Sequence, residues 1–297
     1  MLIIEVTSVI VVLGGSGYVG KSVVLAARHR GLAVRSVSRA EADYSQAGQM
    51  RSLLQQLRPI ALINAAGFTG RPNVDACELA KTECLAGNAV LPGVVRGVCE
   101  ELGIPWGHVS SGCIYTGAKA DGAGFTELDP PNFSFRQNNC SFYSGCKALG
   151  EEVLAGADRC WIWRLRIPFC HRDSSRNYIS KLLRYRRLLD ARNSLSQLDE
   201  FAAACVDCIE RQVPFGTYHL TNPGSVTTRE VVDLIRRTGL ADREFDFFET
   251  EEEFLQLAAK TPRSNCVLDT DKAAAAGLRM TPIREALERA MCEWVWE

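Results

Sequence analysis

The stretch Val11–Leu25, Val-Val-Leu-Gly-Gly-Ser-Gly-Tyr-Val-Gly-Lys-Ser-Val-Val-Leu, constrains the fold more than any other part of the chain. An apolar strand runs into glycines at 14, 17 and 20, and an apolar helix face follows at once. A turn this tight needs residues without a Cβ. It brings backbone N–H groups and the positive end of a helix dipole up to a pyrophosphate. The spacing is Gly-x-x-Gly-x-x-Gly rather than Gly-x-Gly-x-x-Gly. Such a pattern alone says little, but a strand before it, a helix after it and a place near the N-terminus are the context a dinucleotide site requires.

Short apolar runs then alternate with helical stretches. Strands are predicted at about residues 8–13, 33–37, 60–64, 105–110 and 160–166, and helices at about 18–30, 46–57, 74–102 and 143–155, with Gly31 and Gly103 as stops. This order predicts an α/β fold, a doubly wound parallel Rossmann sheet over residues 1–166. Residues 167–297 are expected to form a smaller, interleaved substrate domain with segments returning to the first. There the patterns predict helices at Arg176–Leu189, Phe201–Arg211, Thr228–Arg237 and Arg284–Trp296, a strand at Thr217–Leu220, and a solvated helix start at Glu249–Glu253. The aperiodic stretch Gly117–Asn139 is long enough to line a site.

The 297 residues are 46% hydrophobic and 23% charged, as in an ordinary soluble protein. A net charge of −1 gives no electrostatic case for nucleic acid or an anionic membrane. The opening run Met1–Leu13 contains Glu5, is too short to span a bilayer and lacks a basic start and a cleavage site, so it reads as the first strand. The twelve cysteines lie singly, many on apolar helix faces, as Cys77, Cys84 and Cys99 do. Cys205 and Cys208 sit in a helical pattern with no second ligand pair, which favours packing over zinc, and no metal is expected. Free thiols in this number fit a reducing cytosol, hence a cytoplasmic protein. Asn132 and Asn139 match the glycosylation pattern by chance, no signal peptide being evident.

Tyr143-Ser-Gly-Cys-Lys147 opens a predicted helix, and its i, i+4 spacing puts phenol and ammonium on one face. A nearby ammonium is expected to lower the phenol pKa from its reference of about 10. Upstream, the strand His108-Val-Ser-Ser111 ends in hydroxyls at the sheet edge where ligands bind in such folds. A hydroxyl there can hold a carbonyl oxygen while the tyrosine protonates it.

The glycine turn, Asn64-Ala-Ala-Gly67, Ser111 and Tyr143-x-x-x-Lys147 together resemble the extended short-chain dehydrogenase/reductases. That resemblance implies hydride transfer at a carbinol carbon, with Tyr143 as proton donor or acceptor. Lys147 would orient the cofactor ribose and Ser111 polarise the carbonyl. The segments Asn64–Glu78, Ser111-Gly-Cys-Ile-Tyr115, Gly124-Phe-Thr-Glu, Pro131-Asn-Phe and Ser141-Phe-Tyr-Ser are similar to the plant nucleotide-rhamnose synthase/epimerase-reductases. So are Asn177-Tyr-Ile-Ser-Lys181, Thr221-Asn-Pro-Gly224 and Pro262-Arg-Ser-Asn265. The broader relatives are the dTDP-4-dehydrorhamnose reductases. The implied substrate is a nucleotide-linked 4-keto-6-deoxy sugar.

The second predicted strand is followed by Ser38-Arg39 instead of an acid. A hydroxyl and a guanidinium suit a 2′-phosphate, so NADPH is the expected cofactor. The residues expected around it are Gly14, Ser16, Gly17, Tyr18, Val19 and Gly20 in the turn, Ser38 and Arg39, and Asp43 and Tyr44 by the adenine. Ala65, Ala66 and Gly67 would carry the backbone past it, with Tyr143, Lys147 and Ile167 beyond. Thr69, Ser111, Gly112, Cys113, Asn177, Lys181 and Arg263 are expected against the substrate.

Simple reductases of this kind have Thr-Asp-Tyr where this chain has Ser111-Gly112-Cys113, and the plant bifunctional enzymes have Thr-Gly-Cys. Epimerisation requires proton exchange at C3 and C5, both acidified by the C4 ketone, from opposite faces. Cys113 and Lys181 could do this. Lysine is scarce, seven of 34 basic residues. Cys113 could equally be a small packing residue, and Lys181 or Arg263 could hold substrate phosphate. Cys170–Arg176 departs from the plant pattern, which leaves substrate contacts there open. Three readings stand: a 3,5-epimerase/4-reductase on UDP- or dTDP-4-keto-6-deoxyglucose, a 4-reductase alone, or a non-catalytic NADP-binding regulatory subunit like that of methionine adenosyltransferase. The expected partners are the sugar nucleotide, a sugar-nucleotide 4,6-dehydratase and a second copy of the chain.

Overall fold

The structure, a computed structural model, describes residues 9–296. The first strand, β1, is Val9–Leu13. The remainder of the expected opening strand, residues 1–8, lies outside the described residues.

β1 lies next to the edge of a six-stranded sheet, between the edge strand β2 (Ala33–Val37) and β3 (Ala61–Asn64), beyond which come β4 (Trp106–Ser111), β5 (Cys160–Leu165) and a last strand, Gly216–His219. All the pairings are parallel, with Val12 opposite Ser36 on one side and Ile63 on the other. Burial explains the composition: β3 is buried throughout and apolar up to Asn64, whereas the edge strand β2 alternates exposed and half-buried residues before Val37. The order reverses at β1, so the crevice above the carboxyl ends of β1 and β3 is the place where such sheets take a ligand.

Helices α1 (Tyr18–His29), α2 (Ala47–Leu57), α3 (Lys81–Leu85), α4 (Leu91–Leu102) and α5 (Phe142–Val153) complete the crossovers. Gly103 stops α4 in the left-handed region at φ 65°. The single helix expected over 74–102 is instead a 3-10 turn at Val74–Glu78, then α3, a π turn at Ala86–Val90 and α4. Asn88 explains the break: its side chain binds the Phe68 backbone, and the widened turn lets it face inward.

Beyond β5 follow α6 (Tyr178–Arg184), α7 (Leu198–Glu210), α8 (Thr228–Arg237), α9 (Glu251–Leu257), α10 (Asp271–Ala275) and α11 (Ile283–Cys292). α6 is shorter than the expected helix, because Arg187–Leu188 leaves it to pair with Asp246–Phe247. α11 likewise ends before residue 296, and Val295 exchanges hydrogen bonds with His171 and Asp173. α7 returns to pack on α1, while Phe169, Ile179, Val231, Ile235 and Leu287 form a second core.

The long stretch after β4 is ordered by a distant partner. Gly117 and Phe125 pair with residues 265–269, for example Phe125 N to Val267 O at 2.9 Å, and the Tyr115 and Phe125 rings stack at 5.0 Å. Among the described residues no helix is long and apolar enough to cross a membrane, and no cluster of three or more His, Cys, Asp or Glu could hold a metal.

Candidate active site

The glycine turn closes on itself through Gly17 N to Gly14 O at 3.0 Å. Gly14 has φ +72°, and a Cβ there would stand 2.7 Å from Ala66; one on Gly20 would stand 2.2 Å from the Gly14 carbonyl. Only glycine fits both places. The first turn of α1 has neither an acidic residue nor a side-chain cap, leaving its N–H groups and dipole for an anion. Ser16 and Gly17 are exposed, Val19 packs on the core, and the Tyr18 hydroxyl meets Cys170 Sγ at 3.5 Å. These features fit a bound pyrophosphate.

After β2, Ser38 and Arg39 are exposed, and Arg39 lies by the hydroxyl of buried Tyr44, offsetting the effect of burial on that phenol. Asp43 folds onto its own turn, accepting from Ser45 N at 3.1 Å and Ser45 Oγ at 2.6 Å. After β3, Ala65 N donates to Leu13 O at 3.0 Å and Ala66 N to Asn64 Oδ1 at 3.1 Å. A Cβ on Gly67 would lie 3.0 Å from Asn88 Oδ1 and 3.6 Å from Lys147 Nζ, so the backbone passes close to both. Ile167 has φ 35°, a left-handed backbone on a β-branched residue directly before Pro168. Strain of this kind costs on the order of 1–3 kcal/mol and concentrates at functional sites.

The reacting groups gather where β4 ends. Ser111 Oγ accepts from Cys113 N at 3.2 Å, starting the 3-10 turn Gly112–Ile114. Ser141 caps α5 by accepting from Ser144 N at 3.2 Å, and this sets Tyr143 and Lys147 on one face, where the Tyr143 hydroxyl lies beside the Ser111 side chain. Lys147 is buried and donates from Nζ to the Val109 carbonyl at 3.3 Å. The expected lowering of the Tyr143 pKa is corrected here: burial, followed by the neighbouring thiols of Cys113, Cys77 and Cys84, pushes it well above the usual value. Burial pushes Lys147 down. Tyr143 is therefore a protonated phenol at neutral pH.

Cys113 is buried next to these groups, its thiol raised by burial and drawn down by the Ser111 and Ser144 hydroxyls, Arg166 and Lys147. Lys181 on α6 is half-buried, and burial together with Arg176 and Arg263 lowers its pKa. Arg263 binds Asp75 through both terminal nitrogens, at 2.6 and 2.8 Å, and Arg176 reaches Thr69 Oγ1 at 3.0 Å. Among the described residues no hydrogen bond joins Lys181 to Cys113.

Asn177 departs from expectation. Its amide donates to the carbonyls of Cys170 and Arg172 at 2.8 and 2.7 Å and accepts from Ile179 N at 3.1 Å, so it caps α6 from a fully buried position. Both of its N–H donors are used and the side chain is fully buried, so it does not face a sugar. Gly112 is buried too, and a Cβ there would stand 2.6 Å from Leu268. Asn88, Arg166 and Arg176 were missed. A polar Asn88 inside an apolar helical pattern is the one signal the sequence offered for them.

Fold and site together define a Rossmann-type nucleotide-binding protein with a Ser-Tyr-Lys constellation. A family profile described as the RmlD substrate binding domain matches residues 8–295, and the chain belongs to that family. It is 33% identical over 247 residues to an Arabidopsis thaliana bifunctional dTDP-4-dehydrorhamnose 3,5-epimerase/dTDP-4-dehydrorhamnose reductase, covering 81% of this chain and 79% of the relative. It is also 33% identical over 239 residues to an Arabidopsis trifunctional UDP-glucose 4,6-dehydratase/UDP-4-keto-6-deoxy-D-glucose 3,5-epimerase/UDP-4-keto-L-rhamnose-reductase. That match covers 79% of this chain but only 34% of the relative, so the chain spans about a third of its length. The crystal structure of a Bacillus anthracis dTDP-4-dehydrorhamnose reductase in complex with NADP superposes with a TM-score of 0.81 at 19% identity, covering 97% of this chain and 99% of that one, a likeness of fold.

Proposed function

We propose that the chain is an NADPH-dependent 4-reductase of a UDP- or dTDP-linked 4-keto-6-deoxy sugar, and that the same site performs the preceding 3,5-epimerisation to give the nucleotide-L-rhamnose. The reading is carried by Tyr143 of α5 standing beside Ser111 at the end of β4, with Lys147 behind them. NADPH, when bound, supplies the hydride for C4. The glycine turn and the uncapped α1 would hold its pyrophosphate, and Arg39 its 2′-phosphate. Ser111 then fixes the C4 oxygen, and protonated Tyr143 delivers the proton which that oxygen needs. Lys147, tied to the Val109 carbonyl, sets where the phenol stands.

For epimerisation, Cys113 and Lys181 would move the C3 and C5 protons. The relatives' names and the thiol beside Ser111 and Tyr143 support this. One observation favours the narrower reading of reductase alone: Lys181 stands among the cations Arg176 and Arg263, a setting that equally suits a substrate phosphate. The test is to incubate the unepimerised 4-keto-6-deoxyglucose nucleotide with NADPH in deuterated water and no other enzyme. Nucleotide-L-rhamnose carrying deuterium at C3 and C5 is expected. Consumption of only the pre-epimerised ketone leaves the reductase, and no NADPH oxidation with either ketone overturns both readings. A dehydratase must supply the ketone, and the proposed homodimer is checked by sedimentation.

A further inference from the structure

Arg166 follows β5 and is 5% exposed. One terminal nitrogen donates to Asn193 Oδ1 at 2.5 Å and to the Ser264 carbonyl, and its buried Nε has no hydrogen-bond partner. Two neighbouring arginines are paired, Arg164 with Glu151 at 2.6 Å and Arg263 with Asp75 at 2.6 Å, whereas buried Lys147 rests on the Val109 carbonyl. Arg166 makes no ion pair among the described residues. A buried charge without a counter-charge is costly, which makes an orphaned guanidinium informative.

Its surroundings show what could answer that charge. Arg166 Cδ lies 3.4 Å from the place a Cβ on Gly112 would occupy, against the turn that carries Cys113. Two thiols feel the guanidinium, Cys113 and Cys266. Cys266 Sγ donates to the Gly112 carbonyl at 3.3 Å and is thereby held as a thiol. Cys113 Sγ makes no hydrogen bond among the described residues; its backbone N–H holds Ser111 Oγ at 3.2 Å, and Ser144, Lys147, Tyr143 and Cys140 lie around it.

We propose that Arg166 is a positioning residue for Cys113, its unpaired charge reserved for the thiolate that forms there as sugar protons are moved. The inference rests on the epimerase reading above. In the step, the thiolate takes the C–H proton to form S–H, and the C–H electron pair passes into the C4 ketone as an enolate. The Lys181 ammonium then gives a proton to the enolate carbon from the opposite face, the C–H bond forming as the N–H bond breaks, and exchange of protons with solvent returns the S–H to thiolate and the amine to ammonium.

The test is iodoacetamide labelling of the folded protein across a pH series, with Cys113 followed by peptide mass spectrometry and exposed Cys292 as internal reference. Arg166→Gln keeps a donor for Asn193 and Ser264 without the charge, and Arg166→Lys keeps the charge. The labelling midpoint of Cys113 is expected to rise by about one pH unit in Arg166→Gln, roughly tenfold slower labelling near neutrality, and to return towards wild type in Arg166→Lys. Equal midpoints in wild type and Arg166→Gln overturn the inference. Thermal unfolding confirms that each variant is folded, and should Arg166→Gln fail that check, wild type against Arg166→Lys and Arg166→Met decides. Absence of deuterium exchange in the wild-type protein defeats the epimerase reading, while the labelling still decides about Arg166.

Discussion

Lys147 reaches from α5 to the Val109 carbonyl on β4, 3.3 Å away, so the helix bearing Tyr143 is tied to the strand bearing Ser111. Two covalently distant groups thereby share one geometry. Tyr143→Phe removes the phenol's proton but keeps the ring that fills the space. Reduction should fall by ~10²–10⁴, with NADPH binding largely unchanged when followed by fluorescence titration. Turnover near wild type in that variant removes Tyr143 as the acid.

Arg39 is exposed after β2, where a 2′-phosphate would stand. Arg39→Asp replaces an attractive charge with a repulsive one that can accept from a 2′-OH. The kcat/KM ratio for NADPH over NADH should invert. An unchanged ratio shows that the guanidinium serves only Tyr44.

Cys113→Ala should stop solvent deuterium entering C3 or C5 of the 4-keto substrate. Reduction of an already epimerised ketone should continue, since Ser111, Tyr143 and Lys147 are untouched. Exchange at both positions in this variant, read by NMR, returns the cysteine to packing.

His219 is fully buried, hydrogen-bonded through Nε2 to Arg164 at 2.9 Å and through Nδ1 to the Asp269 carbonyl at 3.1 Å. Burial, with the Arg164 charge adding to it, lowers its pKa to about 3. The unfolded chain, with a histidine pKa of about 6.5, binds the proton that the folded chain refuses. This contribution to stability is therefore complete above about pH 6.5 and is lost as pH falls towards 3. The Tm difference between wild type and His219→Gln should narrow from pH 7.5 to pH 4.5. A constant difference contradicts the assignment.

Arg164 and Glu151 form a buried pair that also holds Ser110 and Tyr115. Arg164→Met strands the carboxylate, a loss of about 3–5 kcal/mol, to be read by urea unfolding. A loss under 1 kcal/mol contradicts a paired, buried carboxylate.

The parts legible in the sequence were those written in neighbouring residues. The glycine turn, the strand ending at Ser111 and the i, i+4 pair Tyr143 and Lys147 each depend on a few positions with a known period. What escaped depends on partners far along the chain. Nothing local to Arg263 points to Asp75, 188 residues earlier, and nothing local to Arg166 says that a carboxylate is missing. Asn177 read as a sugar contact because a helix cap and a ligand contact use the same amide. Tyr143 was expected to feel Lys147 first, but burial outweighs that ammonium.

The pairing of Gly117 and Phe125 with residues 265–269 bears on how the protein is made. Synthesis proceeds from the N-terminus, so β1 to β5 can assemble while the ribosome is still translating. The segment that flanks Gly112 and Cys113 emerges well after them, bringing Cys266 and Leu268 to a turn that has waited roughly 150 residues. A nascent chain halted near residue 260 could present the glycine turn, yet it would lack one wall beside Cys113.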